Sequence, residues 1–236
     1  MYSNKKLPDA ISHRGLRSAA PENTIAAFEA AIAAGCDGIE LDVHGTVDGT
    51  LFVHHDPTFE LDGSRIPFAM ADPHDVAKAR LAGDHAIPKL DAVLEAIGTR
   101  AQVYIEVKAT GIESDLARCL TRHVENMRKY AVHAFDHRVV KRVLELSPSV
   151  RTGILQVGYP IDSCAEMRAA GASDLWQHAD FIDSALVADV RACSGRLIVW
   201  TANGEDQWIN LSRLGVDGIC TDRVDEYVAW RNAQTS

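Results

Sequence analysis

With 236 residues, 47% hydrophobic and 24% charged, the chain is long enough for one large core or two small ones, and a single α/β barrel runs near this length, which favours one domain. A formal net charge of −9 disfavours nucleic acid and anionic membranes as main partners, so an anionic substrate has to be met by local basic residues. No apolar run long enough to span a bilayer occurs, and Met1 to Ala10 carries neither a signal-peptide core nor a lipidation motif, which predicts a soluble, cytoplasmic protein without stable membrane association.

Ala10-Ile11-Ser12 reads as a short strand running into His13-Arg14-Gly15. Pro21-Glu22-Asn23-Thr24 then leads into a helix with Ile25, Phe28 and Ile32 on one face; Asn23 or Thr24 is available to cap it, and Glu22 and Asn23 are read as capping residues ahead of a direct substrate role. Gly38 to Pro57 is two strand-like runs joined by Asp48-Gly49, a strong hairpin signal. A two-residue type I′ loop there sets Val47 opposite Thr50, His44 opposite Val53 and Asp42 opposite His55. Glu40, Asp42 and His55 then share one face, and His54 points the other way. Two carboxylates at i and i+2 with an imidazole across the ladder make a hard-cation site with a proton-transfer group beside it.

Residues 58 to 88 form a long excursion broken by Asp62-Gly63, Pro67 and Pro73, with a short helix expected near 75 to 82. Pro88 opens a helix carrying Leu90, Val93, Leu94 and Ile97 inward and ended by Gly98. Gln102 to Lys108 is the next strand. From there helices near 113–128, 137–146, 161–170, 185–193 and from about 205 alternate with strands near 131–135, 152–156, 174–178, 196–201 and 217–221, before a terminal helix. If residues 50 to 55 are a return arm rather than a wall strand, the pattern predicts one (β/α)₈ TIM barrel over 1–236, with a β-hairpin extension after the second strand. Ile39, Leu41 and Val43 would then pack on the outer helices while Glu40 and Asp42 point inward, where a carboxylate needs a cation or a donor. Cys36, Cys119, Cys164, Cys193 and Cys220 are widely spaced, without a Cys-x-x-Cys pair, and read as buried thiols rather than zinc ligands or a disulfide framework.

Functional residues of a barrel lie at the C-terminal ends of its strands. His13 ends the first strand, Glu40 and Asp42 lie near the end of the second, Glu106 and Lys108 end the third, and Trp200 and Thr201 end the seventh. Neighbouring strands and the hairpin thus bring His13, Glu40, Asp42, Glu106, Lys108 and His55 to one mouth. The other histidines, His44, His54, His74, His85, His123, His133, His137 and His178, read as surface or satisfied structural residues, with substrate contact the minor alternative for His178 at its strand end.

Along nearly its whole length the chain resembles the glycerophosphodiester phosphodiesterase family. The resemblance runs through His13-Arg14-Gly15, Pro21-Glu22-Asn23-Thr24, Glu40-Leu41-Asp42-Val43, Thr46-Val47-Asp48-Gly49, His55-Asp56-Pro57, Ile87-Pro88, Ile105-Glu106-Val107-Lys108, Val199-Trp200-Thr201-Ala202-Asn203 and Gly215 to Asp222. It implies a barrel that hydrolyses glycerophosphodiesters to sn-glycerol 3-phosphate and an alcohol. The positions matching His13 and His55 are then the acid/base pair, those matching Glu40, Asp42 and Glu106 bind one divalent metal ion, and those matching Arg14 and Lys108 sit near the phosphate. Two departures concern the alcohol side of the substrate: Phe59-Glu60-Leu61-Asp62-Gly63-Ser64 follows Thr58 where an Arg-Thr-Thr-Asn-Gly-like run is common, and Ala134-Phe135 stands in place of Ser-Phe.

Three carboxylates suit Mg²⁺ or Ca²⁺ better than zinc. Arg14 and Lys108 add positive charge where it develops on phosphoryl oxygens. His13 is read as base and His55 as acid, with water or the substrate's own glycerol hydroxyl as nucleophile. Trp200 is either barrel packing or a wall against the substrate. The competing readings are a lysophospholipase D or sphingomyelinase D type phosphodiesterase, for which no apolar docking loop stands out, a catalytically dead phosphate-binding module, and a zinc hydrolase with His13 and His55 as ligands.

Overall fold

Eight parallel strands close into a barrel in the computed structural model, which describes residues 6–234. The leader-free reading of Met1 to Lys5 lies outside the described residues. The barrel strands are β1 (Asp9–His13), β2 (Gly38–Gly45), β3 (Gln102–Val107), β4 (Tyr130–Ala134), β5 (Arg151–Gln156), β6 (Asp174–His178), β7 (Arg196–Trp200) and β8 (Gly218–Thr221). Each pairs with the next, and β1 closes the ring by pairing with β8 (Ser12 with Thr221) and with β2 (His13 with Glu40).

The intervening helices are α1 (Ile25–Ala33), α2 (Leu90–Ile97), α3 (Glu113–Arg122), α4 (His137–Leu146), α5 (Ser163–Ala170), α6 (Ser184–Ala192), α7 (Glu205–Leu214) and α8 (Val224–Ala233). Several are started by a side-chain oxygen that takes an orphan backbone N–H: Thr24 on α1, Asp136 on α4, Asp162 on α5 and Asp183 on α6. The single helix expected over 113–128 breaks at His123, whose imidazole is tied to Asp91 at 3.1 Å, and continues as a 3₁₀ turn over Val124–Lys129.

Strand alternation divides the core into two shells. Ile39, Leu41 and Val43 face outward into the main core with Phe28, Leu90 and Val93 from the helices, and each fully buried aliphatic side chain of this kind contributes about 1.5–3 kcal/mol. The inner shell stacks Ile11, Tyr104, Ala131, Leu155, Trp176, Ile198 and Cys220 inside the barrel. Gly38 on β2 has no alternative here, because a Cβ would lie 2.7 Å from the Tyr104 ring. At the N-terminal end of the barrel the ion pairs Arg196–Asp9 and Arg151–Asp174, both 3.0 Å, give the half-buried Asp9 and the buried Asp174 their partners. The C-terminal end is left open for chemistry.

The hairpin forms with a register one residue away from the expected one. β2 pairs antiparallel with Leu51–Val53, joining Gly45 to Leu51, His44 to Phe52 and Val43 to Val53. The loop has three residues rather than two: Gly49 N donates to Thr46 O at 3.0 Å and Gly49 alone takes a positive φ, +83°, so the turn is type I closed by a left-handed glycine. Asp48 caps this turn by accepting from Thr46 Oγ1 and Thr50 N, an arrangement that type I′ geometry does not use. In this register His54 falls opposite Asp42 and donates its backbone N–H to Asp42 O at 3.0 Å, the last bond of the ladder, after which the chain leaves it. His55 therefore still reaches the mouth, and His54 turns away onto Phe68.

The excursion builds a small core of its own. Hairpins Thr58–Leu61/Ser64–Pro67 and Arg80–Leu81/His85–Ala86 flank a short helix, Pro73–Lys78, started by Asp72. Phe52, Phe59, Phe68, Val76 and Ile87 pack between them. Phe68 is the hub, with ring centroids of His44, Phe59 and His54 at 5.2, 5.1 and 5.5 Å.

The cysteine expectation holds for Cys36, Cys119 and Cys220, which are buried free thiols. It fails for Cys164 and Cys193, which form a disulfide between α5 and the end of α6, with Cα atoms 5.8 Å apart. Their separation of 29 residues carries no local signal; adjacent helices of the outer ring bring them together.

Candidate active site

His13 ends β1 with its Nδ1 2.7 Å from Asp222 Oδ1, at the end of β8. Asp222 also accepts from Arg17 Nη1 at 3.0 Å and from Asn203 Nδ2 at 2.8 Å. Burial works against this carboxylate, but the hydrogen bonds from His13, Asn203 and Arg17 outweigh it and hold Asp222 well below the usual carboxylate range. Nδ1 of His13 is thereby committed, and Nε2 looks across the mouth toward Glu40 Oε2, 4.0 Å away. His55, beyond the hairpin arm, repeats the device with Nδ1 2.9 Å from Asp56 Oδ1. Both imidazoles thus keep one nitrogen for a carboxylate and present the other to the cavity.

Glu40, Asp42 and Glu106 project into the barrel from adjacent strands, with Asp42 paired to Glu106 in register. Asp42 lies deepest, fully buried, and its environment is the most elaborate. Asn23 Nδ2 donates to Oδ2 at 2.9 Å, Arg14 Nε stands 3.0 Å from the same oxygen, and Lys108 Nζ stands 3.4 Å from Oδ1. Burial opposes its ionisation, but Arg14 and Lys108 hold Asp42 below its ordinary value. For Glu40, burial, then repulsion from Asp42 and Glu106, outweighs the pull of Arg14 and Lys108 and pushes it well above the usual range. Glu106, paired with Lys108 at 2.8 Å, is raised by burial and by Asp42. Burial alone would lower Arg14 and Lys108, yet the carboxylates around them raise both, so they stay cationic.

A cavity of about 120 Å³ opens between these groups. His13, Arg14, Glu40, His55, Glu106, Lys108 and Trp200 all line it, and Asp42 sits behind them. Trp200 donates Nε1 to Trp176 O at 3.2 Å and meets Phe135 and His178 edge-on at 5.6 and 5.2 Å, so it is both packing and wall. Glu22 and Asn23 do not cap α1. Glu22 bonds Arg14 and Arg17, and Asn23 turns inward to Asp42, leaving the cap to Thr24.

Three residues at the site escaped the sequence reading of the mouth: Asp222, Asn23 as a partner of Asp42, and His133. Asp222 is 209 residues from the histidine it holds, and no local pattern links the two. His133 did carry a signal. Along β4, Tyr130, Val132 and Ala134 face the outer core and Ala131 the inner one, so alternation sends His133 inward. It is 1% exposed and stacks on Trp176 with centroids 4.3 Å apart. Its Nε2 lies 4.0 Å from Glu40 Oε1, and the ligand atoms of Glu40, Glu106 and His133 all fall within 4.8 Å of one another.

The rim is more apolar than the sequence reading allowed. Phe135 after β4, Val157, Tyr159 and Ile161 after β5, and Phe181 after β6 are all exposed. Among the described residues no helix is long and apolar enough to cross a membrane.

The glycerophosphoryl diester phosphodiesterase family model matches residues 13–226. Over 230 residues the chain is 32% identical to a glycerophosphodiester phosphodiesterase of Caldanaerobacter subterraneus, an overlap that covers 90% of this chain and 93% of that one. Identity to the glycerophosphodiester phosphodiesterase of Bacillus altitudinis is 30% over 239 residues, with 94% and 97% covered. Among solved structures, a glycerophosphodiester phosphodiesterase of Agrobacterium tumefaciens superposes with a TM-score of 0.81 at 26% identity, covering 94% of this chain and 100% of that one. An Oleispira antarctica phosphodiesterase, solved in complex with the product sn-glycerol-3-phosphate, gives 0.85 at 20% identity, with 96% and 97% covered, a likeness of fold.

Proposed function

The chain belongs to the glycerophosphoryl diester phosphodiesterase family, and on that premise we propose that it hydrolyses glycerophosphodiesters to sn-glycerol 3-phosphate and an alcohol at the barrel mouth. The observation that carries this reading is the pair of imidazoles at one cavity, each with Nδ1 on a carboxylate, flanked by Arg14 and Lys108. A phosphodiester resists hydrolysis because its anion repels nucleophiles and its leaving alkoxide is poor. His13, oriented by Asp222, takes a proton from the nucleophile at Nε2, and His55 returns one to the leaving oxygen, each role worth roughly 10²- to 10⁴-fold in rate. Arg14 and Lys108 meet the phosphoryl oxygens as negative charge builds on them. Trp200 walls the side on which the alcohol leaves.

We assign Glu40, Asp42 and Glu106 to hold one divalent ion, Mg²⁺ or Ca²⁺. The residues fit such a group: Glu40 Oε2 and Asp42 Oδ1 are buried without a hydrogen-bond partner among the described residues, and Glu40 sits against two further carboxylates. When bound, the ion supplies charge against the phosphoryl oxygens and lets the clustered carboxylates ionise together.

The test is release of glycerol 3-phosphate from glycerophosphocholine and glycerophosphoethanolamine, with Mg²⁺ or Ca²⁺, then with chelator, beside His55→Ala. Metal-dependent release that vanishes in the variant is the expected result; a fully metal-loaded protein that cleaves neither diester refutes the reading. The exposed apolar rim favours a second reading, a lysophospholipase D type reaction at the same cluster. Faster turnover of lysophosphatidylcholine than of glycerophosphocholine would select it.

A further inference from the structure

We propose that His133 adds a nitrogen ligand to the divalent ion held by Glu40, Asp42 and Glu106, which narrows the metal reading above by shifting the preference of the site away from Ca²⁺ and toward a borderline transition-metal ion such as Mn²⁺ or Zn²⁺. The inference rests on the reading that Glu40 and Glu106 hold a metal. Four observations carry it.

His133 is buried to 1% exposure, and neither ring nitrogen has a hydrogen-bond partner among the described residues. Leaving a buried polar group unmatched is costly, so an imidazole kept there calls for a partner that the protein atoms do not supply. The ring is aimed at the carboxylates: Nε2 is 4.0 Å from Glu40 Oε1, a gap that one ion about 2.1 Å from each atom bridges with little movement. Glu40, Glu106 and His133 together form a three-ligand group with all donor atoms within 4.8 Å. Finally, the ring is already fixed, lying face to face on Trp176 with planes 8° apart, so little conformational freedom is lost on ligation.

The donor set decides the metal. Asp42 keeps Oδ1 for the ion, but its charge is shared with Arg14 and Lys108 and its Oδ2 is held by Asn23. Two carboxylates and a neutral imidazole then balance a divalent charge. Oxygen-only sites suit Mg²⁺ and Ca²⁺, whereas an imidazole nitrogen shifts preference toward Mn²⁺, Co²⁺ and Zn²⁺. A purely packing role for His133 would leave metal choice unchanged on its replacement.

The experiment loads the full chain with sub-stoichiometric Mn²⁺ and records pulsed electron paramagnetic resonance for ¹⁴N modulation from a directly coordinated imidazole. The wild type, His13→Asn and His55→Asn should all show it, and His133→Gln should bind Mn²⁺ without it. His133→Phe, which keeps a ring against Trp176, provides a second variant, with circular dichroism and thermal melting to verify folding. Calorimetric titration should find Zn²⁺ affinity reduced about 10- to 100-fold in His133→Gln, with Mg²⁺ affinity nearly unchanged. Mn²⁺ bound to the wild type without nitrogen modulation, or modulation that survives in both His133 variants, overturns the inference and leaves the metal reading standing. No Mn²⁺ binding by the wild type overturns both.

Discussion

Asp222→Asn should stop His13 from acting as a base while leaving the barrel folded. The reason lies in the fixed neighbours of the carboxylate. Oδ1 receives His13 Nδ1 and Arg17 Nη1, and Oδ2 receives the amide of Asn203. Asn203 cannot flip to suit an amide, because its own Oδ1 accepts from Thr221 Oγ1 and from the backbone N–H of residue 222, both at 2.9 Å. The half-exposed Arg17, held also by Glu22 at 3.1 Å, can swing off Oδ1, whereas Asn203 is fixed, so the introduced amide turns its oxygen to Asn203 and its NH₂ to His13. That donor forces Nδ1 to become an acceptor and moves the imidazole proton to Nε2, the nitrogen facing the cavity. A base that already holds its proton cannot take another, so the full general-base contribution of roughly 10²- to 10⁴-fold in kcat is lost, about 2.7–5.4 kcal/mol of barrier. Glycerol 3-phosphate release under saturating diester measures it, with metal binding expected to be unchanged. Because both residues act through one nitrogen, Asp222→Asn in a His13→Asn background should cost little more. A kcat for Asp222→Asn near the wild-type value, or full additivity with His13→Asn, refutes the tautomer reasoning.

Glu40→Ala, Asp42→Ala and Glu106→Ala should lose metal and activity together, whereas His55→Ala keeps metal and loses turnover; metal retained by all three carboxylate variants would remove them from the ligand set. Phe68→Ala empties the hub of the excursion core and should destabilise by about 3–5 kcal/mol, read as a lower urea midpoint. Because the same ring braces His54 beside His55, its loss should also lower kcat. Burial depresses His54, so in acid the unfolded chain takes up a proton that the folded chain resists. Stability from this group is complete above about pH 6.5 and falls as pH drops toward the lower folded value, so His54→Phe should flatten the decline of Tm between about pH 6.5 and 5. Equal slopes in the two proteins would show that His54 does not drive it.

Much of the barrel was legible because it is written in short-range alternation. Each strand of the second half carries four to six residues and each helix its own apolar stripe, so element type follows from neighbours in sequence. The hairpin register was less legible for a physical reason. Asp-Gly fits both a type I′ loop and a type I turn closed by a left-handed glycine, and the choice was made by Asp48 accepting from Thr46 and Thr50, contacts that spacing does not reveal. His55 lines the mouth nonetheless, because the chain leaves the ladder just after His54 and the shift of one residue is offset there.

The site divides along the same line. Residues that line the cavity themselves, such as His13, Glu40, Glu106 and Lys108, lie on the strands or just after them in short recognisable runs. Residues that act through another were dispersed: Asn23 reaches Asp42, and Asp222 reaches His13 only after the whole chain has gone round. The consequence is mechanical as well as informational. β1 and β8 are the first and last strands, and the His13–Asp222 contact lies where they meet, one step beyond the Ser12–Thr221 pair. The imidazole is therefore oriented only when the barrel has closed. Opening of that seam, by heat or by a destabilising change far from the cavity, should abolish the general base before the central strands β3 to β6 lose their pairing. Hydrogen exchange would report this as loss of protection in β1 and β8 in step with activity, ahead of β4 and β5.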